Sequence, residues 1–470
     1  MKSNESFSGT GRNRVPATVA MIQALLVVIF LSWRFGGMES LAREIAGWLC
    51  LPGPVITWFA WRQADRTLRR HFWRIIWPLL ALTVLVLVSL FNPNMRVLLA
   101  DGRPSGLIGR EPIWFLPSTA LPANTAGDFF LNAGLILVGL NLFISNPGRA
   151  QQRLLLGVIA ANATILACVG SVFKLGHATA ILGQFPSPNP RFFATFFYYN
   201  HWGAFALLAA AAAAGLALHH ARQAPAGQWQ HTPAPLFGVF TILLLVSLPL
   251  GGGRGSVAAG LILSLVLAAR VVFGSGRPRE HRGPRLAVAV VVMIGFAAAT
   301  LWLARDSLRT LLDKTSTQVA TMRSGGIGEV RLPLYRDIWK LIEARPVYGW
   351  GWHSFRYAFR PVQSFDARME NEQKEPSVFL DAHSDWLQLL VELGLAGAAL
   401  AATALAGVAS VASRNWWRLS PTFEIVAGLV CLGLLAAVDF PFACPAVVVT
   451  AWVLLMSGAA IALDRSRRAT

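Results

Sequence analysis

The run LFGVFTILLLVSLPLGGGRGSVAAGLILSLVLAARVVF, residues 236–273, decides the fold. It carries only Arg254 and Arg270 as charges. As one helix rising 1.5 Å per residue it would be on the order of 57 Å long, about twice the hydrocarbon core of a bilayer. The run must therefore fold back on itself. Pro249-Leu250-Gly251-Gly252-Gly253-Arg254-Gly255 supplies the hinge. This predicts two membrane spans, Leu236 to Leu250 and Ser256 to Phe273. The same length rule, applied outward, marks Ala17 to Trp33, Ile45 to Trp61, Trp73 to Phe91, Asp128 to Ser145, Leu154 to Phe173 and Thr195 to Leu218. Beyond the hinge it marks Leu286 to Ala304, Asp385 to Val411, Phe423 to Val438 and Pro445 to Leu463. The expected architecture is an all-α integral membrane protein of about 12 transmembrane helices.

Composition agrees. The chain has 470 residues, of which 55% are hydrophobic and 14% charged, with mean hydropathy +0.52. Soluble domains carry about 25% charged residues. The net charge of +18 is no nucleic-acid signal, because the basic residues crowd into alternate inter-span segments. These hold Lys2, Arg12 and Arg14; Arg62 to Arg74; Arg149 and Arg153; Arg222; Arg270 to Arg285; Arg414 and Arg418; and Arg465 to Arg468. The positive-inside rule puts those segments and both termini in the cytoplasm. The expected layout is a cytoplasmic tail (1–16), spans one to nine (17–304), a long external loop (305–383), spans ten to twelve (384–463) and a cytoplasmic tail (464–470). The first helix reads as uncleaved, since no small-x-small site follows it. Cys50, Cys168, Cys431 and Cys444 form no CxxC pair, so neither disulfides nor a cysteine zinc site are expected.

The long loop has internal pattern. Leu332 to Glu343 places Tyr335, Ile338, Trp339 and Ile342 on one helical face. Pro346 ends that helix, and the turn Tyr348-Gly349-Trp350-Gly351-Trp352-His353 follows. The loop is expected to lie on the outer membrane face. So is the Pro-rich segment Asn92 to Gly127, through Ile113-Trp114-Phe115.

The chain has no GxxxxGK[ST], HExxH or DxD motif and no Cys/His cluster, so nothing in it calls for a metal, nucleotide or other cofactor. Chemistry would fall to residues at the outer boundary. Arg254 sits in a glycine hinge whose open N–H groups and guanidinium suit a phosphate; alone it also reads as a snorkelling arginine. His383 opens the tenth span, with Asp381 or Ser384 as N-cap. The positive end of that helix favours its neutral, basic form. Asp385 and Glu392 are seven apart on one face of an apolar span. Arg336 and Arg345 lie in the long loop, Arg345 reading better as a solvated face. Arg191 opens the sixth span, and Asp439 stands between two spans, where it also reads as a turn residue. Several arginines and one helix-terminal histidine on one side of a bundle suit an anionic, membrane-tethered, pre-activated substrate. A transporter of such lipids would instead carry ionisable residues at mid-span.

Four segments resemble the O-antigen ligase/polymerase family of bacterial envelope glycosyltransferases. Arg336 to Phe355 is similar to its R-x-x-x-W…P-x-x-G-x-G-x-x-x-F stretch. Ala382 to Gly397 is similar to its H-[NS]-x-x-L-x-x-x-x-E-x-G-x-x-G signature. Gly253-Arg254-Gly255-Ser256 resembles its S-R-G-A turn, with Gly in place of Ser, and Arg191 to His201 resembles its R-x-x-G-T-F…N segment, with Ala194 in place of Gly. The resemblance implies a helical GT-C-type membrane enzyme that moves a glycan from undecaprenyl diphosphate without a metal. It implies Arg254 and Arg336, with Arg191 as a third, on the donor diphosphate, His383 as base or positioner of the acceptor hydroxyl, and Asp439 as a supporting acid. Asp385 and Glu392 stand as further supporting acids. The implied partners are the lipid-linked glycan donor, an acceptor (lipid A–core, another glycan or a protein) and membrane lipids, with no nucleic acid. The implied location is the bacterial inner membrane with the site facing the periplasm. Ligases, polymerases and protein O-oligosaccharyltransferases share these motifs.

Overall fold

The computed structural model describes residues 15–100, 103–225, 228–273, 331–364, 369–370, 376–377, 379–411 and 416–469. Among them, nine helices are long and apolar enough to cross a membrane. They are α1 (Val15–Trp33), α4 (Arg66–Leu90), α5 (Pro122–Ser145), α6 (Arg149–Leu175), α7 (Tyr199–Gln223), α8 (Ala234–Gly251), α9 (Arg254–Phe273), α12 (Asp385–Ala409) and α14 (Pro445–Ala469). The chain is thus a mostly helical, multi-pass membrane protein. α4 shows the lipid-facing pattern: Trp73, Trp77, Leu80, Val84 and Leu87 are exposed at helical spacing. The hinge lies where expected, with Gly252 at φ +86° between α8 and α9.

Three expectations change. The run Ile45 to Trp61 is not one helix but two, α2 (Ser40–Cys50) and α3 (Gly53–Gln63). Pro52 at the junction lacks the N–H a continuous helix needs, and its ring clashes with the preceding turn. The run Phe423 to Val438 yields α13 (Thr422–Leu435), of 14 residues. The helix α10 (Arg331–Ala344) buries Leu334, Ile338, Leu341 and Ile342, whereas Trp339 is 53% exposed. The run Leu286 to Ala304 lies outside the described residues.

α7 is the axis of the bundle. Ala209 to Ala214 are all buried. Lipid offers no hydrophobic push between helices, so close van der Waals contact must hold them, and small side chains permit it. Gly203 meets Ser256 of α9, Ala211 meets Gly428 of α13, and Gly215 meets Pro421. A leucine at Ala211 would overpack this seam at a cost of about 1–3 kcal/mol.

One end of the bundle carries a cap that sequence periodicity did not show. β1 (Met95–Ala100) and β2 (Arg103–Gly109) form an antiparallel hairpin. Trp114, 88% exposed, follows it. This segment is stitched to the loop after α10. Asn94 Nδ2 donates to the Trp350 carbonyl at 3.2 Å and Arg345 Nη1 to Ser118 Oγ at 2.6 Å. The short helix α11 (Phe355–Ala358) completes the cap.

Candidate functional site

The site grows from the first turn of α7. Asn200 is buried there, and its Nδ2 donates to Asp439 Oδ2 and, at 3.1 Å, to Tyr198 Oη. Asp439 is buried between α13 and α14, and its Oδ1 accepts from the Phe440 N–H at 2.9 Å. The same linker is tied to the start of α12. The Asp385 N–H donates to the Ala436 carbonyl at 2.9 Å and to the Asp439 carbonyl at 3.2 Å, while Asp385 Oδ2 accepts from the Phe442 N–H at 2.9 Å. Asp385 therefore braces the turn that carries Asp439.

His383 stands just outside α12, whose N-cap is Ser384, accepting from the Leu387 N–H at 3.4 Å. Its imidazole meets the Phe440 ring edge-on at 4.9 Å and Phe379 at 5.5 Å. Phe440 also stacks on Tyr198 at 5.3 Å and touches His201 at 5.5 Å. One aromatic ring thus joins His383 to the α7 N-terminus. Tyr335 of α10 donates its hydroxyl to the His383 carbonyl at 3.0 Å. That bond fixes the backbone of a residue at φ +50°, an uncommon conformation for a side-chain-bearing residue.

Arg254 reaches the same place through glycine. Gly253 lies against Asn200 and Tyr199 so closely that a Cβ would overlap Asn200 Oδ1. This accounts for glycine where the resembling motif has serine. Arg254, the next residue, is exposed at the start of α9. Asp439, the His383 ring and the backbone leading into Arg254 therefore meet around Asn200 and Phe440. Arg336 is exposed on α10, one residue from Tyr335. Arg191 is exposed, and its carbonyl accepts the Tyr199 N–H at 3.2 Å.

Glu392 does not join this cluster. Its Oε2 accepts the His353 N–H at 2.9 Å and its Oε1 the Phe355 N–H at 3.2 Å. Beside it α12 is broken at Gly394, φ +60°, and the loop enters the break. The Trp350 N–H donates to the Val391 carbonyl at 2.8 Å, and Gly351 donates to Glu392 likewise. Gly349, φ +67°, approaches the Val391 and Glu392 backbone too closely for any side chain. Glu392 is the clasp of the loop after α10.

Charge around the site follows from burial. Burial pushes the Tyr198 phenol up, and the Asp439 carboxylate adds to this. Burial also raises the Asp381 carboxyl, against the pull of Arg356. His353 is lowered to about 4, chiefly by burial, although Asp128 lies 3.6 Å away and opposes the shift.

Asn200, Tyr198, Tyr335 and Phe440 were given no site role from sequence, Tyr335 being read only as part of a helical face and Asn200 only as part of the segment that opens at Arg191. Tyr335 and Phe440 each adjoin a residue that was given one, so adjacency to Arg336 and Asp439 was the available signal. Among the described residues, no group of three or more His, Cys, Asp or Glu side chains could hold a metal ion.

Residues 239–402 match the O-antigen ligase family, whose members are glycosyltransferase-like ligases and polymerases. The match supports the family that the motifs resemble. It includes Arg254, Arg336, His383, Asp385 and Glu392, and leaves Arg191 and Asp439 outside. No curated protein matches the chain.

Proposed function

From the O-antigen ligase match we propose that the chain transfers a glycan from undecaprenyl diphosphate to an acceptor hydroxyl at the periplasmic face of a bacterial inner membrane. Lipid A–core is the favoured acceptor. The observation that carries the reading is the meeting of the His383 ring, Asp439 and the backbone leading into Arg254 around Phe440 and Asn200, with His383 and Arg254 inside the matched segment.

In this reading His383 takes the proton of the acceptor hydroxyl as the oxygen attacks the anomeric carbon. The bond from that carbon to the diphosphate breaks, and its electron pair leaves on the diphosphate. Arg254, helped by Arg336 and Arg191, stabilises the charge that develops there. Attack opposite the leaving group inverts the anomeric centre, and no step draws on a metal. Asp439 acts through Asn200 and the Phe440 backbone, as a positioning residue. The middle of α7 is a run of buried alanines, which favours an enzyme over a transporter with a mid-span site. A second glycan chain or a protein as acceptor would use the same machinery.

The test is the lipid-linked glycan pool of a strain lacking this protein, complemented with wild type or His383→Ala. Long chains accumulating on undecaprenyl diphosphate, with none on the final acceptor, are expected in the deletion and in His383→Ala. Accumulation of single repeat units would make the chain a polymerase. An unchanged pool and surface glycan in the deletion would refute the reading, and full rescue by His383→Ala would remove His383 from the mechanism.

A further inference from the structure

α7 leaves the candidate site at Asn200 and reaches Arg222 roughly 33 Å away, at 1.5 Å per residue. α9 makes the same passage from Arg254 to Arg270. At this far end lies a cavity of about 290 Å³, lined by Arg149, Arg153, His219, Arg222, Arg418 and Ser420. It is formed by the first turn of α6, the last turns of α7 and α14, and the segment entering α13.

The charges here do not cancel. Arg149 pairs with Asp464 at 2.6 Å, and buried Arg270 with buried Glu424 at 3.3 Å. Ser420 links this second pair to the cavity, donating to Glu424 at 2.9 Å and accepting from Arg222 at 3.0 Å. Arg153, Arg222 and Arg418 have no carboxylate within ion-pair distance among the described residues. Arg149 Nη2 is buried and makes no hydrogen bond among them. α6 and α13 also begin at this cavity, at Arg149 and Thr422, and so bring the positive ends of two helix dipoles to it. Arginines that only set topology would point separately into water. These line one concavity, where a bound anion would relieve their mutual repulsion.

We propose that this cavity binds the phosphate of an anionic phospholipid headgroup, at the opposite end of the bundle from the candidate active site. Guanidinium groups grip phosphate oxygens bidentately. A volume near 300 Å³ is at the small end of ligand pockets. Leu419, Pro421 and Ile461 add apolar wall for the glycerol and upper acyl chain. Basic pockets between helices at a membrane surface take acidic lipid headgroups by this chemistry. The inference is independent of the transferase reading, since it uses none of that site's residues.

The test uses the full chain in detergent. Retention of phosphatidylglycerol, cardiolipin and phosphatidylcholine is measured by native mass spectrometry, and binding of inorganic phosphate by calorimetry. Wild type should retain the two anionic lipids over phosphatidylcholine. Arg153→Gln, which breaks no ion pair among the described residues, should weaken their retention about fivefold. Arg153→Gln with Arg418→Gln should weaken it further, and the corresponding lysine pair should restore most of it. Exposed Arg70→Gln should change nothing. Inorganic phosphate binding that depends on Arg153, without lipid preference, would keep the phosphate site but assign it a soluble source. Equal retention of neutral and anionic lipids with no phosphate binding overturns the proposal. So does a loss in Arg70→Gln equal to that in Arg153→Gln.

Discussion

Replacing Glu392 tests whether it is a clasp or an acid. It is 7% exposed, and its two oxygens accept the N–H groups of His353 and Phe355 at 2.9 and 3.2 Å. Glu392→Ala would leave both main-chain donors unpaired if the loop stayed docked. Each such donor costs about 1–3 kcal/mol, so docking loses about 2–6 kcal/mol. Four main-chain bonds to the loop remain, from Trp350, Gly351, Leu395 and Ala396, at about 1 kcal/mol each. The loop is thus expected to open more often than in wild type. Even the lower figure multiplies the opened population about 30-fold. Glu392→Gln keeps one acceptor and turns an amide N–H toward the other donor, so its cost is about half as large. The assay is tryptic cleavage at Arg345 and Arg356 in the detergent-solubilised chain, beside glycan transfer in complemented cells. Cleavage and loss of transfer should rise together, in the order wild type, Gln, Ala. A fully protected loop in Glu392→Ala with transfer abolished would refute the clasp and return Glu392 to the chemistry.

Two further outcomes follow from the same contacts. Tyr335→Phe removes the hydroxyl that holds the His383 carbonyl at 3.0 Å. At about 1 kcal/mol for one hydrogen bond, transfer should fall about fivefold while thermal stability changes little; undiminished transfer would mean that Tyr335 does not position His383. The loop should also loosen in acid. His353 is held to about 4 when docked, against 6.5 when free, mainly by burial. As pH falls from about 6.5 toward about 4, the released loop takes up a proton that the docked loop refuses, so docking is strongest above this window and weakens through it. Asp381, raised by burial, works in the opposite sense, so the readout is wild type against His353→Gln. Hydrogen exchange of the Phe355 amide, corrected for its intrinsic pH dependence, should quicken in acid more steeply in wild type; identical pH profiles would refute the assignment.

Much of this protein is written along the chain. Apolar run length gave the long helices, because bilayer thickness fixes how many residues a span needs. The glycine hinge before Arg254 was legible, because a 38-residue apolar run has nowhere else to turn. His383 beside a Ser384 cap was legible as well, since capping is local chemistry. Other features needed the third dimension. The break between α2 and α3 is the exception, being written in Pro52-Gly53-Pro54, which a rule based on run length alone passes over. The β1–β2 hairpin lacks clean alternation, and the outward turn of Trp339 depends on what α10 packs against. Most of all, Asp385 and Glu392 look alike in sequence, two acids on one helix face. The fold gives the first to the turn carrying Asp439 and the second to the loop after α10, because each takes the unpaired N–H groups brought to it by a distant segment. Sequence determines which residues can ionise, cap or span. Only tertiary packing decides which backbone donors, rings and charges reach them, since those contacts join segments far apart in the chain.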